Sequence, residues 1–228
     1  MDGLAEFEEC GRLWVRGAVP AADLDQLATA IPSDGRPGIR PDTGLPAFRY
    51  FSGHDPVGAL ARRLGLSPHP VRFVAFQKDE TANWSVPWHQ DRVVAVADRH
   101  ESPGWSAWLP KGAYWHAEPP EALLERMIFI RLHIDAADET NGCLQLALGS
   151  HREGRVPADA ASDIAARYPV EHCRAAPGDL LAVKALTLHR SAPSVSGAPR
   201  RALRIDYADR AMLPAPMSWA LQPAAMSG

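Results

Sequence analysis

From Val71 to Ala208 the chain is written as short β-prone runs: VRFVAFQ, RVVAVA, MIFIRLHI, CLQLAL, EHCRA, LLAVKALTLH and RALRIDYA. Turn chemistry such as Asn141-Gly142 and Pro177-Gly178-Asp179 separates them. Many short strands bury their apolar faces by pairing into a barrel or a two-layered jelly roll. Helical signals stand ahead of this region. Ala21 to Ile31 follows Pro20 with apolar residues at helical spacing, and Asp55-Pro56 supplies an N-cap and a first-turn proline for a second helix through about Leu66. The intervening PSDGRPGIRPDTGLP reads as a loop, and a further helix is expected between Ala158 and Tyr168. The expected architecture is mainly β with flanking helices: one domain over 1–228, with helical support at 1–68, a barrel at 70–208 and a tail at 209–228 that wraps the surface or frays.

Bulk properties narrow the partners. A 46% hydrophobic content in 228 residues suffices for a sizeable core. The net charge of −3, with signs mixed, gives no basic field for nucleic acid. No apolar run approaches the ~20 residues that span a bilayer, and the acidic N-terminus lacks a signal-peptide pattern. Cys10, Cys143 and Cys173 are odd in number and far apart, which fits a reducing cytoplasm. The expectation is a cytoplasmic monomer or small homo-oligomer that acts on a small molecule.

Candidate chemistry lies in Trp88-His89-Gln90-Asp91 and, far downstream, His189 and Arg200. A His and an Asp two apart on a strand share a face, and one distant His completes a set of two imidazoles and a carboxylate. That set suits a non-haem Fe(II) centre with open positions for a co-substrate and oxygen. An arginine beyond the second His offers planar, bidentate binding to a carboxylate such as the far end of 2-oxoglutarate. His-x-Asp alone is weak, because His133-Ile134-Asp135 is a second example and His116-Ala117-Glu118 and His151-Arg152-Glu153 are close variants. On spacing alone any of the four is a possible proximal pair. His133 sits in an apolar run, as a core or barrel-lining histidine does; His151 sits at a turn; His116 sits in a Trp- and Pro-rich loop. His89 and Asp91 precede VVAVA, at a strand end. His189 closes an almost wholly apolar run, and one of Arg200 and Arg201 belongs to the solvent side of its hairpin.

Four ordered blocks, FQKDETANWSVPWHQD, RLHIDAADETNGCLQLALGSHREGR, APGDLLAVKALTLHRSAPS and PRRALRIDYA, resemble the phytanoyl-CoA dioxygenase family of Fe(II)/2-oxoglutarate oxygenases. The resemblance covers about Val71 to Ala208 and implies a double-stranded β-helix, a cupin-like barrel with the metal at one mouth. It selects His89 and Asp91 over His133 and Asp135, and makes His189 the distal ligand. It places Arg200 and Ser191 on the distal carboxylate of 2-oxoglutarate. Arg131 falls at a position lining that pocket, although the residue type differs from the family's, and Gln90, between two ligands, is expected to touch the co-substrate. Leu148 stands where the family often has proline, a loop detail. The family's halogenating relatives lack the carboxylate ligand, so retention of Asp91 favours hydroxylation, with oxygen as the third reactant and succinate and carbon dioxide released.

The segment ADRHESPGWSAWLPKGAYWHAEPP packs Trp105, Trp108, Tyr114 and Trp115 with Lys111 and His116. It reads either as an active-site lid or as a surface loop over a satellite core. Under the lid reading Trp108, Lys111 and His116 touch the substrate, and Lys78, just ahead of the Asn83-Trp84 turn, reaches the same cavity. No basic patch suits a coenzyme A tail, so a smaller substrate is expected. Two rivals keep the three ligands: a zinc hydrolase, which has no need of Arg200, and a ligand-binding barrel without turnover.

Overall fold

The computed structural model describes residues 3–29, 31, 38–39, 43–51, 53–80 and 82–221. The chain begins with α1 (Leu4–Cys10), β1 (Arg12–Val15), α2 (Ala21–Thr29) and α3 (Pro56–Arg63). There follow β2 (Arg72–Lys78), β3 (Val86–His89), β4 (Val94–Val96), β5 (Ser106–Lys111), β6 (Tyr114–Glu118) and α4 (Glu121–Glu125). The rest is β7 (Ile128–His133), β8 (Leu144–Ala147), α5 (Ala161–Ala165), β9 (Val170–His172), β10 (Leu180–Lys184), β11 (His189–Ser191) and β12 (Arg200–Tyr207). All strand pairs are antiparallel, in a five-stranded sheet β1-β10-β7-β12-β2, a four-stranded sheet β3-β11-β8-β9 and a three-stranded sheet β4-β6-β5.

Alternation along the five-stranded sheet sorts its residues into two faces. Ile128, Ile130, Leu132, Leu203, Ile205, Phe73 and Ala75 pack with Leu24, Leu27, Val57, Leu60 and Ala61 of the helices. Each such fully buried Leu or Ile contributes about 2 kcal/mol. Helix α3 is started by Asp55, whose Oδ1 accepts from the Val57 and Gly58 N–H groups at 3.0 Å each. On the opposite face Phe129, Leu181 and Val183 meet Leu144 and Leu146 of the four-stranded sheet and Cys173 just past its β9 strand. The same inner face carries Lys78, Arg131, His133, Arg200 and Arg204, all buried. Of these, Arg204 is paired with carboxylates, those of Asp91 and Asp206.

Several expectations are corrected. The N-terminal support is not wholly helical: β1 pairs with β10 and completes the large sheet, and α1 precedes it. The run LLAVKALTLH is two strands, since the chain turns at Ala185–Leu188 and passes from one sheet to the other. The second helix ends at Arg63 rather than near Leu66. Residues 98–120 are largely a hairpin of β5 and β6, with Trp105, Trp108 and Trp115 in a satellite core alongside Met217 and Trp219. The tail, expected to wrap the surface or fray, packs against the chain as far as residue 221, tied by the Val96–Trp219 bridge. Part of the expected loop between the first helices, residues 32–37 and 40–42, and the tail beyond 221 lie outside the described residues.

Candidate metal and oxo-acid site

The four-stranded sheet supplies the ligands. His89 ends β3 and His189 begins β11, and the two are register partners with ring centroids 4.2 Å apart. Asp91 lies just past β3, its N–H donating to the Ala185 carbonyl at 3.2 Å. One donor atom from each of His89, Asp91 and His189 falls within 4.8 Å of the others. The Nδ1 atoms of His89 and His189 bond the carbonyls of Pro87 and Thr187 at 2.8 and 2.9 Å. A carbonyl only accepts, so both Nδ1 atoms carry the hydrogen and the Nε2 atoms are directed to the cluster, that of His189 lying 3.0 Å from Asp91 Oδ2. Burial, with His189 alongside, pulls the His89 imidazole down to about 4, so it stays neutral near pH 7.

The five-stranded sheet supplies the cations. Burial alone pushes the Asp91 carboxyl up, but Arg204 and the two histidines outweigh it and hold it well below the usual carboxylate range. Arg204 Nη1 donates to Asp91 Oδ2, Arg204 Nε donates to Asp206 Oδ1 at 2.6 Å, and Arg72 pairs with the other oxygen of Asp206. Four alternating charges thus run from the ligand into the sheet. Phe129 lies under the Arg204 guanidinium, 4.4 Å from its ring centroid.

Deeper in, the pattern changes. Arg200 is 1% exposed, and its Nε, Nη1 and Nη2 all lack a partner among the described residues. Arg131 has unpartnered Nε and Nη2, with Phe76 5.4 Å from its guanidinium. Burial pulls Arg131 down to about 9, helped by Arg200, and pulls Arg200 down to about 10. Leaving buried charged donors unsatisfied costs several kcal/mol. A cavity of about 240 Å³ runs between these guanidinium groups and the ligand cluster, lined by Phe76, Trp84, Leu144, Ser191 and Arg190 among others. One end can hold a divalent metal, and the other can hold a carboxylate.

A second cavity of about 700 Å³ shares Phe76, Asp91 and Arg204 with the first and opens past Ile39, Val74, Lys111 and Tyr114. This outer chamber is large enough for an organic substrate.

The other expected residues separate clearly. Arg201 turns outward to a bidentate pair with Asp135 at 2.9 Å, which leaves Arg200 as the inward guanidinium. Gln90 is not brought to the cavity: its amide donates to Gly154 O and Leu186 O at 2.7 and 2.8 Å and accepts from Val156 N–H at 2.8 Å. Lys78 is found at the inner end, 3.0 Å from Ser191 Oγ, rather than with the hairpin. Of the hairpin residues Lys111 borders the outer chamber. Trp108 stacks on Trp105 in the satellite core, and His116 is buried in β6 opposite Ala95 and Leu109. His133 is fully buried beside Trp14 with neither ring nitrogen partnered among the described residues, so it lacks the polar partners expected of a satisfied core histidine. Sequence reasoning missed Arg204, whose only signal was its place four residues after Arg200, on the same face of β12.

The family model for phytanoyl-CoA dioxygenase (PhyH) matches residues 46–202. No curated protein matches the chain in sequence. AviO1 from Streptomyces viridochromogenes Tue57 is similar in fold, with a TM-score of 0.64 at 20% identity over 93% of this chain and 96% of that one. EctD from S. alaskensis, solved with bound Fe, gives 0.64 at 15% identity over 91% and 75%. The non-heme alpha ketoglutarate dependent epimerase SnoN from nogalamycin biosynthesis gives 0.62 at 17% identity over 90% and 81%.

Proposed function

Because the chain belongs to the phytanoyl-CoA dioxygenase family of Fe/2-oxoglutarate-dependent oxygenases, we propose that it binds Fe(II) through His89, Asp91 and His189 and 2-oxoglutarate through Arg200 and Ser191. It would use them to hydroxylate a small organic molecule in the outer chamber. The observation that carries this reading is the Arg200 guanidinium, buried and unpartnered, across a 240 Å³ cavity from the three-ligand cluster. A dicarboxylic oxo acid fits both ends, with one carboxylate toward the ligand cluster and one toward the guanidinium. His89, Asp91 and His189 would hold the metal and leave positions for a co-substrate.

When bound, the metal and the oxo acid would supply oxygen activation coupled to conversion of the acid into succinate and carbon dioxide. The protein's own residues do the rest. Pro87 and Thr187 carbonyls fix the imidazole tautomers, and Arg204 holds the Asp91 carboxylate on one side. Phe76, Trp84, Phe129 and Leu144 exclude water around the acid. Lys111 and Tyr114, at the tip of the β5–β6 hairpin, border the substrate's entrance. A zinc hydrolase would leave Arg200 without a purpose. Retention of Asp91 argues against halogenation and favours hydroxylation.

The test is consumption of 2-oxoglutarate and formation of succinate by protein supplied with Fe(II) and oxygen, with and without candidate substrates. Succinate formation that requires both the metal and Arg200 is expected. Metal-dependent hydrolysis that proceeds without oxygen would overturn the reading.

A further inference from the structure

The inner end of the site holds one cation more than an arginine pair. Lys78 is 0% exposed, yet among the described residues it makes no ion pair. Its Nζ sits 3.0 Å from Ser191 Oγ, also donates to the Ala192 carbonyl, and lies 4.6 Å from the centroid of the Trp84 ring. Register places it directly opposite Arg200 on β12. Gly142 makes room for it: a Cβ there would fall 2.9 Å from Nζ and 2.3 Å from the Ala192 carbonyl, and its φ of +70° is one that other residues rarely adopt.

Hydrogen bookkeeping gives this lysine a task. A protonated amine only donates, so Ser191 Oγ must accept from it, and the serine's own hydrogen points elsewhere. That hydrogen has the Gly142 carbonyl at 3.1 Å or a carboxylate in the cavity to choose from, and the charged acceptor is the stronger. A neutral amine presents a lone pair instead and can draw the serine hydrogen away from the cavity.

Charge works in the same direction. The groups facing Lys78 are Arg200 on β12, Arg131 on β7 and the Cys143 thiol beside Gly142. Burial pushes that thiol up to about 11, so it brings no negative charge near neutrality. The carboxylate next along the chain, Asp79, is engaged by Gln77 and the Ala82 N–H. Burial first, then Arg200 and Arg131, pull the Lys78 ammonium down to about 7. An anion arriving at Arg200 reverses part of that penalty.

We propose that Lys78 is a positioning residue for the oxo acid, taking up a proton as the acid binds and thereby turning the Ser191 hydroxyl into a donor toward its distal carboxylate. This rests on the function proposed above and adds a proton-linked binding step to it.

The test is calorimetric titration of 2-oxoglutarate into the full chain saturated with Mn(II), at several pH values and in buffers of different ionisation enthalpy. Wild-type protein is expected to take up close to one proton at pH 8 and almost none at pH 6, with Kd weakening about tenfold per pH unit above about 7. Lys78→Met should take up none, with a Kd that is flat with pH and about tenfold or more weaker than wild type at pH 6. Binding without proton uptake by wild type, or unchanged uptake in the variant, overturns the proposal and leaves the oxygenase reading standing. Absence of binding by wild type overturns both. If the variant does not fold, as circular dichroism would report, the wild-type proton count decides alone.

Discussion

The imidazoles of His89 and His189 meet across the β3–β11 ladder at 4.2 Å between ring centroids, and each is pinned at Nδ1 by the carbonyl two residues before it. The orientation of the two imidazoles is therefore set by backbone geometry, while Asp91 is held by the Arg204 side chain. His89→Ala or His189→Ala should abolish stoichiometric metal binding in an equilibrium titration, whereas His133→Ala should retain it. Metal retained by His89→Ala and lost by His133→Ala would move the site.

Arg200 and Arg201 are neighbours in sequence and opposites in environment. Arg200→Ala should raise the concentration of 2-oxoglutarate needed for half-maximal turnover by about a hundredfold, as loss of a bidentate charged contact does, with metal affinity nearly unchanged. Arg201→Ala breaks a largely surface pair with Asp135 and should cost under about 1 kcal/mol of stability, with that requirement unaltered. Steady-state titrations of both variants check this.

Arg204 steadies Asp91 and is itself steadied by Asp206. Arg204→Met should weaken metal binding about 10- to 100-fold, the usual effect of losing a ligand's outer partner. It should also destabilise the protein by about 3 kcal/mol, since Asp91 and Asp206 lose a buried counter-charge. Competition against a metal-sensitive dye and urea unfolding measure the two effects separately.

His133 gives the apo-protein a pH signature. Burial, with Arg131, Arg200 and Arg16 nearby, holds its imidazole well below the ordinary range. The unfolded chain gains a proton near pH 6.5 that the folded chain refuses, so stability is highest above that pH and falls as pH drops below it, by about 1.4 kcal/mol per unit. His89 and His151 are also held low by burial and add to the same slope. His133→Leu should therefore reduce it by about 1.4 kcal/mol per unit in denaturant unfolding toward pH 5 rather than abolish it, and an unchanged slope would assign it elsewhere.

Gln90 separates fold from chemistry. Gln90→Leu removes bonds to Gly154, Leu186 and Val156, and should cost about 2–3 kcal/mol of stability without changing 2-oxoglutarate affinity. Thermal unfolding and calorimetry with the folded variant test both halves.

The strand runs and the turns between them made the β architecture legible, because alternation and turn residues are local properties. The His-x-Asp spacing was legible locally as well, but three other pairs share or nearly share it, and the choice of His89 and Asp91 with His189 rested on the resemblance carried by the ordered motif blocks. Gln90 bonds Gly154, Leu186 and Val156 away from the cavity, because the alternation that joins His89 to Asp91 turns the residue between them to the other side. β3 was hidden by Pro87, and β1 by its brevity. The break inside LLAVKALTLH leaves no mark in hydrophobicity, because both sheets bury those residues. Lys78 and Arg204 acquire meaning only once β2, β7 and β12 lie side by side with inner faces aligned, a long-range relationship.

The most direct test of the central claim is an anaerobic titration of metal-free protein with Fe(II) and then 2-oxoglutarate, followed in the visible range. A metal-to-ligand charge-transfer band that appears only after 2-oxoglutarate is added, and requires Asp91, His89 and His189, is the predicted result. Bound iron with no such band at saturating 2-oxoglutarate would contradict the account.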